Sequence, residues 1–114
     1  MICKKEDLHI RTWKNVQDET AYTLTDLTAF DEKNPKLRLY SHVRVQPGEE
    51  VSYHTHQNES ESYYILEGKA LYRDNDEETI IGPGTVTLTT SGNGHAIKNI
   101  GCSTLEFIAV ILLD

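Results

Sequence analysis

The stretch "HTHQNESESYYILEG", residues 54–68, decides how this chain is read. Residues i and i+2 of a β-strand point to the same side, roughly 6.6 Å apart along it. His54 and His56 therefore project together. The five residues from Gln57 to Glu61 give the chain room to turn. Glu61, Tyr63 and Ile65 then share the inward face of the next strand. His95 follows the Gly-rich turn "SGNG" and begins another strand, where its ring completes the set. Three neutral imidazoles and one carboxylate suit manganese, iron, cobalt, nickel or zinc. On a six-coordinate ion four such ligands leave two positions open. On zinc the same four close a tetrahedral, structural site. Glu59 is the rival to Glu61 as the carboxylate ligand.

Working outward, the pattern from residue 37 is all strand. "LRLYSHVRV" alternates, with Leu39, Val43 and Val45 on one face and Tyr40, His42 and Arg44 on the other. "QPGEE" is a turn, "VSYHTH" a strand, "QNESE" a loop and "SYYILEG" a strand. "KALYR" and "ETIIG" flank the hairpin turn "DNDE". "TVTLTT", "HAIKN" and "TLEFIAVILLD" complete about nine short strands, with turns spaced as in sandwiches and barrels. The last strand is apolar on both faces: Leu105, Phe107 and Ala109 on one, Ile108, Val110 and Leu112 on the other. A second layer is expected over it, either the N-terminal segment or another subunit. Residues 1–36 carry no chemical motif. There "KKEDLHIRTW" reads as a short helical turn, "ETAYTLTDLTAF" as one or two strands, and "DEKNPK" as a loop. The expected organisation is an N-terminal segment, 1–36, packed on a barrel of 37–114 or on a partner subunit.

The 114 residues suffice for one domain with one core. A net charge of −7, with no basic stretch longer than Lys4-Lys5, argues against a nucleic-acid partner. No apolar run approaches a membrane span. "MICKKEDLHI" lacks the pattern of a signal peptide, so a cytoplasmic location is expected. Cys3 and Cys102 are isolated and read as reduced thiols. "DNDEE" lacks the spacing of a calcium loop. His9 and His42 have no matching partners and read as plain surface or strand residues.

Two spacings go further. Gly48, five residues, His54, one residue, His56, four residues, Glu61, six residues and Gly68 resembles the first signature motif of the cupin superfamily. Gly84, five residues, Thr90, one residue, Gly92, two residues, His95, three residues and Asn99 resembles the second, with Thr90 where the family usually has proline. The resemblance implies an all-β cupin jelly-roll β-barrel (a double-stranded β-helix) in a single domain. It implies a divalent transition metal held by His54, His56, Glu61 and His95 inside the mouth, and a homodimer. Tyr63, Ile97 and Phe107 are the expected lining of the cavity. Gly48, Gly68, Gly84 and Gly92 would take turn conformations, and Asn99 with Gly101 would form a turn. Such a protein acts on a small oxygenated metabolite as a dioxygenase, decarboxylase or sugar-phosphate isomerase. Alternatively it binds or senses a small ligand such as a sugar, or its metal is purely structural. No catalytic residue beyond the ligands is identified; Tyr63 and Arg44 are the candidates for acid–base work.

Overall fold

Alternation of buried and open positions along the three longest strands organises the molecule. The computed structural model describes residues 1–15, 19–28 and 34–114. A 3₁₀ turn at Lys5–Asp7 precedes β1 (His9–Lys14), β2 (Ala21–Asp26), β3 (Leu37–Val45), β4 (Glu50–Thr55) and β5 (Glu59–Glu67). Then follow β6 (Ala70–Asp74), β7 (Glu77–Ile81), β8 (Val86–Thr89), β9 (Gly94–Asn99) and β10 (Leu105–Leu113). One sheet has six strands in the order β1-β2-β3-β10-β5-β8; the other has four, β4-β9-β6-β7. All the pairings are antiparallel. The two sheets face one another as a jelly roll, with separate hydrogen-bond ladders in place of a fully closed barrel.

The core lies between the sheets. Val43, Val45, Ile65, Leu105, Phe107 and Ala109 from one sheet meet Val51, Ala70, Tyr72 and Ile97 from the other. In β10 the odd-numbered residues from Leu105 to Ile111 are buried. The even-numbered ones lie on the outer face, where Leu112 is exposed, as are Tyr40 of β3, Tyr64 of β5, and Val86 and Leu88 of β8. The N-terminal strands do not cover that face; they extend the same sheet beyond β3.

Two sequence expectations shift. The helical turn is confined to Lys5–Asp7, and Ile10 to Trp13 join β1, as β-branched and aromatic residues favour. Strand β5 begins at Glu59, inside the expected "QNESE" loop, because Glu59 and Ser60 pair with Leu113 and Leu112. The turn tightens instead at Asn58, with φ 60°. Residues 29–30 of "ETAYTLTDLTAF" and 31–33 of the "DEKNPK" loop lie outside the described residues. Asn99 forms the expected turn by accepting from Gly101 N at 2.9 Å, and its buried amide also donates to Val45 O and Ser103 O at 2.8 Å. Gly68 is required by geometry. At φ +99° an added Cβ would stand 2.8 Å from Leu105 Cα.

Asp26 clasps the N-terminal strands to the sheet. It accepts from Arg11 Nε at 2.8 Å, Arg11 Nη2 at 3.2 Å and Ser41 Oγ at 2.7 Å. Burial works to raise its pKa, yet these donors hold it below the ordinary 3.8. A carboxyl depressed in the folded state contributes stability above its unfolded pKa and loses it as pH falls through the folded one. Asp26→Asn is expected to cost about 1 kcal/mol at neutral pH, since Arg11 is partly exposed. In urea titrations the gap between variant and wild type should close as pH drops below 3.8. A gap independent of pH would contradict the ionic role.

Candidate metal centre

Strand register assembles the cluster. His54 on β4 sits directly opposite His95 on β9. Just past the end of β4, the backbone N–H of His56 donates to Asn93 O at 3.0 Å, and the Gly92 N–H donates to His56 O at 2.7 Å. These bonds keep His56 on the face that His54 uses. Glu61 comes from β5 in the other sheet, opposite Thr89 of β8. Three imidazoles on one wall thus meet a carboxylate on the other. One ligand atom from each of His54, His56, Glu61 and His95 lies within 4.8 Å of all the rest.

The ε nitrogens point inward. His95 Nε2 is 3.1 Å from both His54 Nε2 and His56 Nε2, and 2.9 Å from Glu61 Oε1. Glu61 Oε1 is also 3.1 Å from His56 Nε2 and 3.6 Å from His54 Nε2. Each δ nitrogen already has a partner. His54 Nδ1 lies 2.7 Å from Ser52 O, and His56 Nδ1 lies 2.6 Å from Glu59 Oε2. A carbonyl and a carboxylate only accept, so both δ nitrogens carry the hydrogen and both ε nitrogens present lone pairs. His95 Nδ1 rests between Tyr72 Oη at 2.8 Å and Thr89 Oγ1 at 3.0 Å. Lone pairs of imidazole therefore face one another and a carboxylate, and a single proton on His95 cannot serve them all. A cation fits this donor set.

Electrostatics agree. Burial works to raise the Glu61 carboxyl, but the three histidines gathered around it outweigh burial and hold Glu61 far below the carboxylate range. The His56 pKa is raised, first by Glu61, which would accept a hydrogen bond from the protonated ring. His95 is lowered by burial, against the pull of Glu61. Tyr63 is raised well above its ordinary value by burial and by the Glu61 charge. It stays a neutral phenol, its ring stacked on His95 at 4.9 Å and against Phe107 at 4.4 Å.

Of the sequence candidates, His54, His56, Glu61 and His95 are brought together. Tyr63 and Phe107 line the adjoining cavity, whereas Ile97 is fully buried in the core and not among the lining residues. Glu59, the rival ligand, turns instead to His56 Nδ1 and is gripped by Arg38 at 2.8 and 2.9 Å. Arg44 lies with His42 and Glu106 on the outer face, because the alternation from Ser41 to Val45 turns His42 and Arg44 outward. That removes it as an acid–base candidate. His9 is exposed on β1. The sequence reading missed Tyr72, Thr89 and the Ser52 carbonyl as supports. It also missed that Arg11, Trp13 and Tyr22 from the N-terminal strands line the cavity. The one available signal was the i, i+3 spacing of His56 and Glu59.

Supports of this kind fix the tautomer and the basicity of a ligand. Glu59→Gln is expected to weaken divalent-metal affinity by roughly 10- to 100-fold. Titration with Mn²⁺ in competition with a chelator would measure it. Unchanged affinity would show that Glu59 does not orient His56.

A two-sheet jelly roll with an inward cluster of three His and one Glu defines a class of β-proteins able to hold a metal ion between their sheets. The chain belongs to the cupin domain family, whose model matches residues 41–111. The oxalate-binding protein of Thermotoga maritima is 44% identical over 78 residues, which are 68% of this chain and 64% of that protein, under two thirds of its length. The crystal structure of a predicted oxalate decarboxylase from Thermotoga maritima superposes with a TM-score of 0.90 at 32% identity, covering 100% of both chains. The cupin domain of Schizosaccharomyces pombe Cnp3 has a TM-score of 0.73 at 17% identity over 95% of this chain and 88% of that one, and shares the fold. Among the described residues no helix is long and apolar enough to cross a membrane.

Proposed function

We propose that His54, His56, Glu61 and His95 hold one divalent transition metal, and that this centre binds a small chelating carboxylate of the oxalate type. The observation that carries the reading is the convergence of imidazole lone pairs on a buried carboxylate, with every δ nitrogen already engaged. The name of the Thermotoga maritima oxalate-binding protein supports the ligand class. When bound, such a metal polarises a coordinated oxygen as a Lewis acid. The chain supplies the rest. Glu61 brings the charge that offsets a cation. Glu59, Tyr72, Thr89 and the Ser52 carbonyl aim the imidazoles. Tyr63 and Phe107 close the floor against water. Tyr22, its pKa pushed up to about 12 by burial and by Glu61, faces the cavity as a proton donor and not as a base. Decarboxylation or oxygenation of the ligand is the enzymatic extension of this reading.

A purely structural metal is the second reading. His54 disfavours it: its side chain keeps 36% exposure and opens on the cavity, whereas a closed structural site has no such corner. Calorimetric titration of oxalate into Mn²⁺-loaded and metal-stripped protein tests the proposal. Binding to the loaded form alone is the expected result, and carbon dioxide release would reveal turnover. Equal binding to both forms, or none to the loaded form, would overturn it.

Strands β1 and β2 serve in this reading as an added wall on the barrel of 37–114. A second copy of the chain covers the apolar outer face bearing Tyr40, Tyr64, Leu88 and Leu112. Light scattering should then give twice the 13.0 kDa chain mass; a single chain mass at micromolar concentration would contradict the dimer. The cysteines, both free, suit a reducing cytoplasm.

A further inference from the structure

The cavity beside the cluster is larger than a two-carbon diacid needs. Its volume is about 400 Å³, within the range of roughly 300–1,000 Å³ that takes drug-sized ligands. It runs without interruption from His54, His56 and Glu61 to Trp13 on β1. Beyond the cluster its wall is formed by Trp13, Tyr22, Leu39, Val43, Val51 and Phe107. Two strands outside the family motif, β1 and β2, build much of it, because odd-numbered Arg11 and Trp13 face inward opposite Leu24 and Tyr22. Both guanidiniums at the cavity are already matched. Arg11 forks onto Asp26 and Arg38 forks onto Glu59. A second anionic group far from the cluster would therefore meet apolar surface and neutralised arginines.

We infer that the site takes carboxylic acids with a chelating α-oxo or α-hydroxy head and an uncharged aromatic or branched body. The head reaches the metal and the body fills the chamber. This rests on the metal reading above. Oxalate fills only the head position, and taking an aromatic body out of water against this wall adds affinity. Trp13 stands at 51% exposure in the free protein, so a ligand ring can cover surface that water now wets.

Pyruvate and phenylpyruvate share one head and differ by a phenyl group. Calorimetry on Mn²⁺-loaded protein, its metal content checked by elemental analysis, should show phenylpyruvate binding about 10- to 100-fold tighter than pyruvate. Trp13→Ala should shrink that ratio by about threefold or more, a measure insensitive to general loss of active protein. A ratio near one on fully loaded protein would overturn the inference while leaving the metal centre standing. Protein that takes up no metal would overturn both, and the elemental analysis tells the two failures apart.

Discussion

His95→Ala should lower the affinity for Mn²⁺ by about 300-fold. A four-ligand zinc site is worth on the order of 10–16 kcal/mol and manganese binds more weakly, so one ligand carries roughly 3 kcal/mol. His95 is the member with no exposure, and its ε nitrogen is the shared neighbour of the other three ligand atoms. The substitution also leaves a cavity, costing about 2–3 kcal/mol of stability. Circular dichroism would confirm that the strands persist. His42→Ala removes a histidine from the outer face and should change metal affinity by less than about twofold, as expected for a side chain remote from the ion. Equal losses for the two variants would mean that the effect is unfolding and not ligation.

The second large effect is metal-dependent stability. An ion that binds only the folded state, present at 100 times its Kd, adds about 2.7 kcal/mol. For a chain of 114 residues this corresponds to about 10 °C in Tm. Its pH dependence has a definite sign. The ion needs neutral imidazoles, so protons compete with it as pH falls. Glu61 and Glu59 raise the His56 pKa, so this ligand takes a proton at a higher pH than an ordinary imidazole does. The Tm gain should therefore be largest at pH 8 and already be shrinking before the pH falls to the ordinary imidazole value of about 6.5. Differential scanning calorimetry with Mn²⁺ and with a chelator would record it. A gain that grew toward acid would contradict imidazole ligation.

The four clustered residues were legible in the sequence because one rule governs them. Period-2 alternation put His54 with His56 and Glu61 with Tyr63, and turn glycines returned the chain to the same mouth. The same alternation set Arg44 opposite Val43, so its outward position was already written there. What lay beyond reach depends on contacts between sheets. Thr89 and Tyr72 meet His95 only because β6 pairs with β9 while β8 belongs to the facing sheet. No spacing in one strand announces that. Glu59 looked like a rival ligand because its parity matches Glu61. Strand β5 starts early, and this leaves Glu59 level with His56 Nδ1 and with Arg38. The N-terminal wall was hidden for a related reason. Alternation in β1 shows that Arg11 and Trp13 share a face, but only pairing through β2 to β3 turns that face toward the cluster.

The most direct test is the anomalous diffraction of crystals soaked in Mn²⁺. One strong peak per chain is expected, about 2.1 Å from the ε nitrogens of His54, His56 and His95, with a Glu61 oxygen at similar range. No peak between the two sheets, or a peak held by other side chains, would contradict the account.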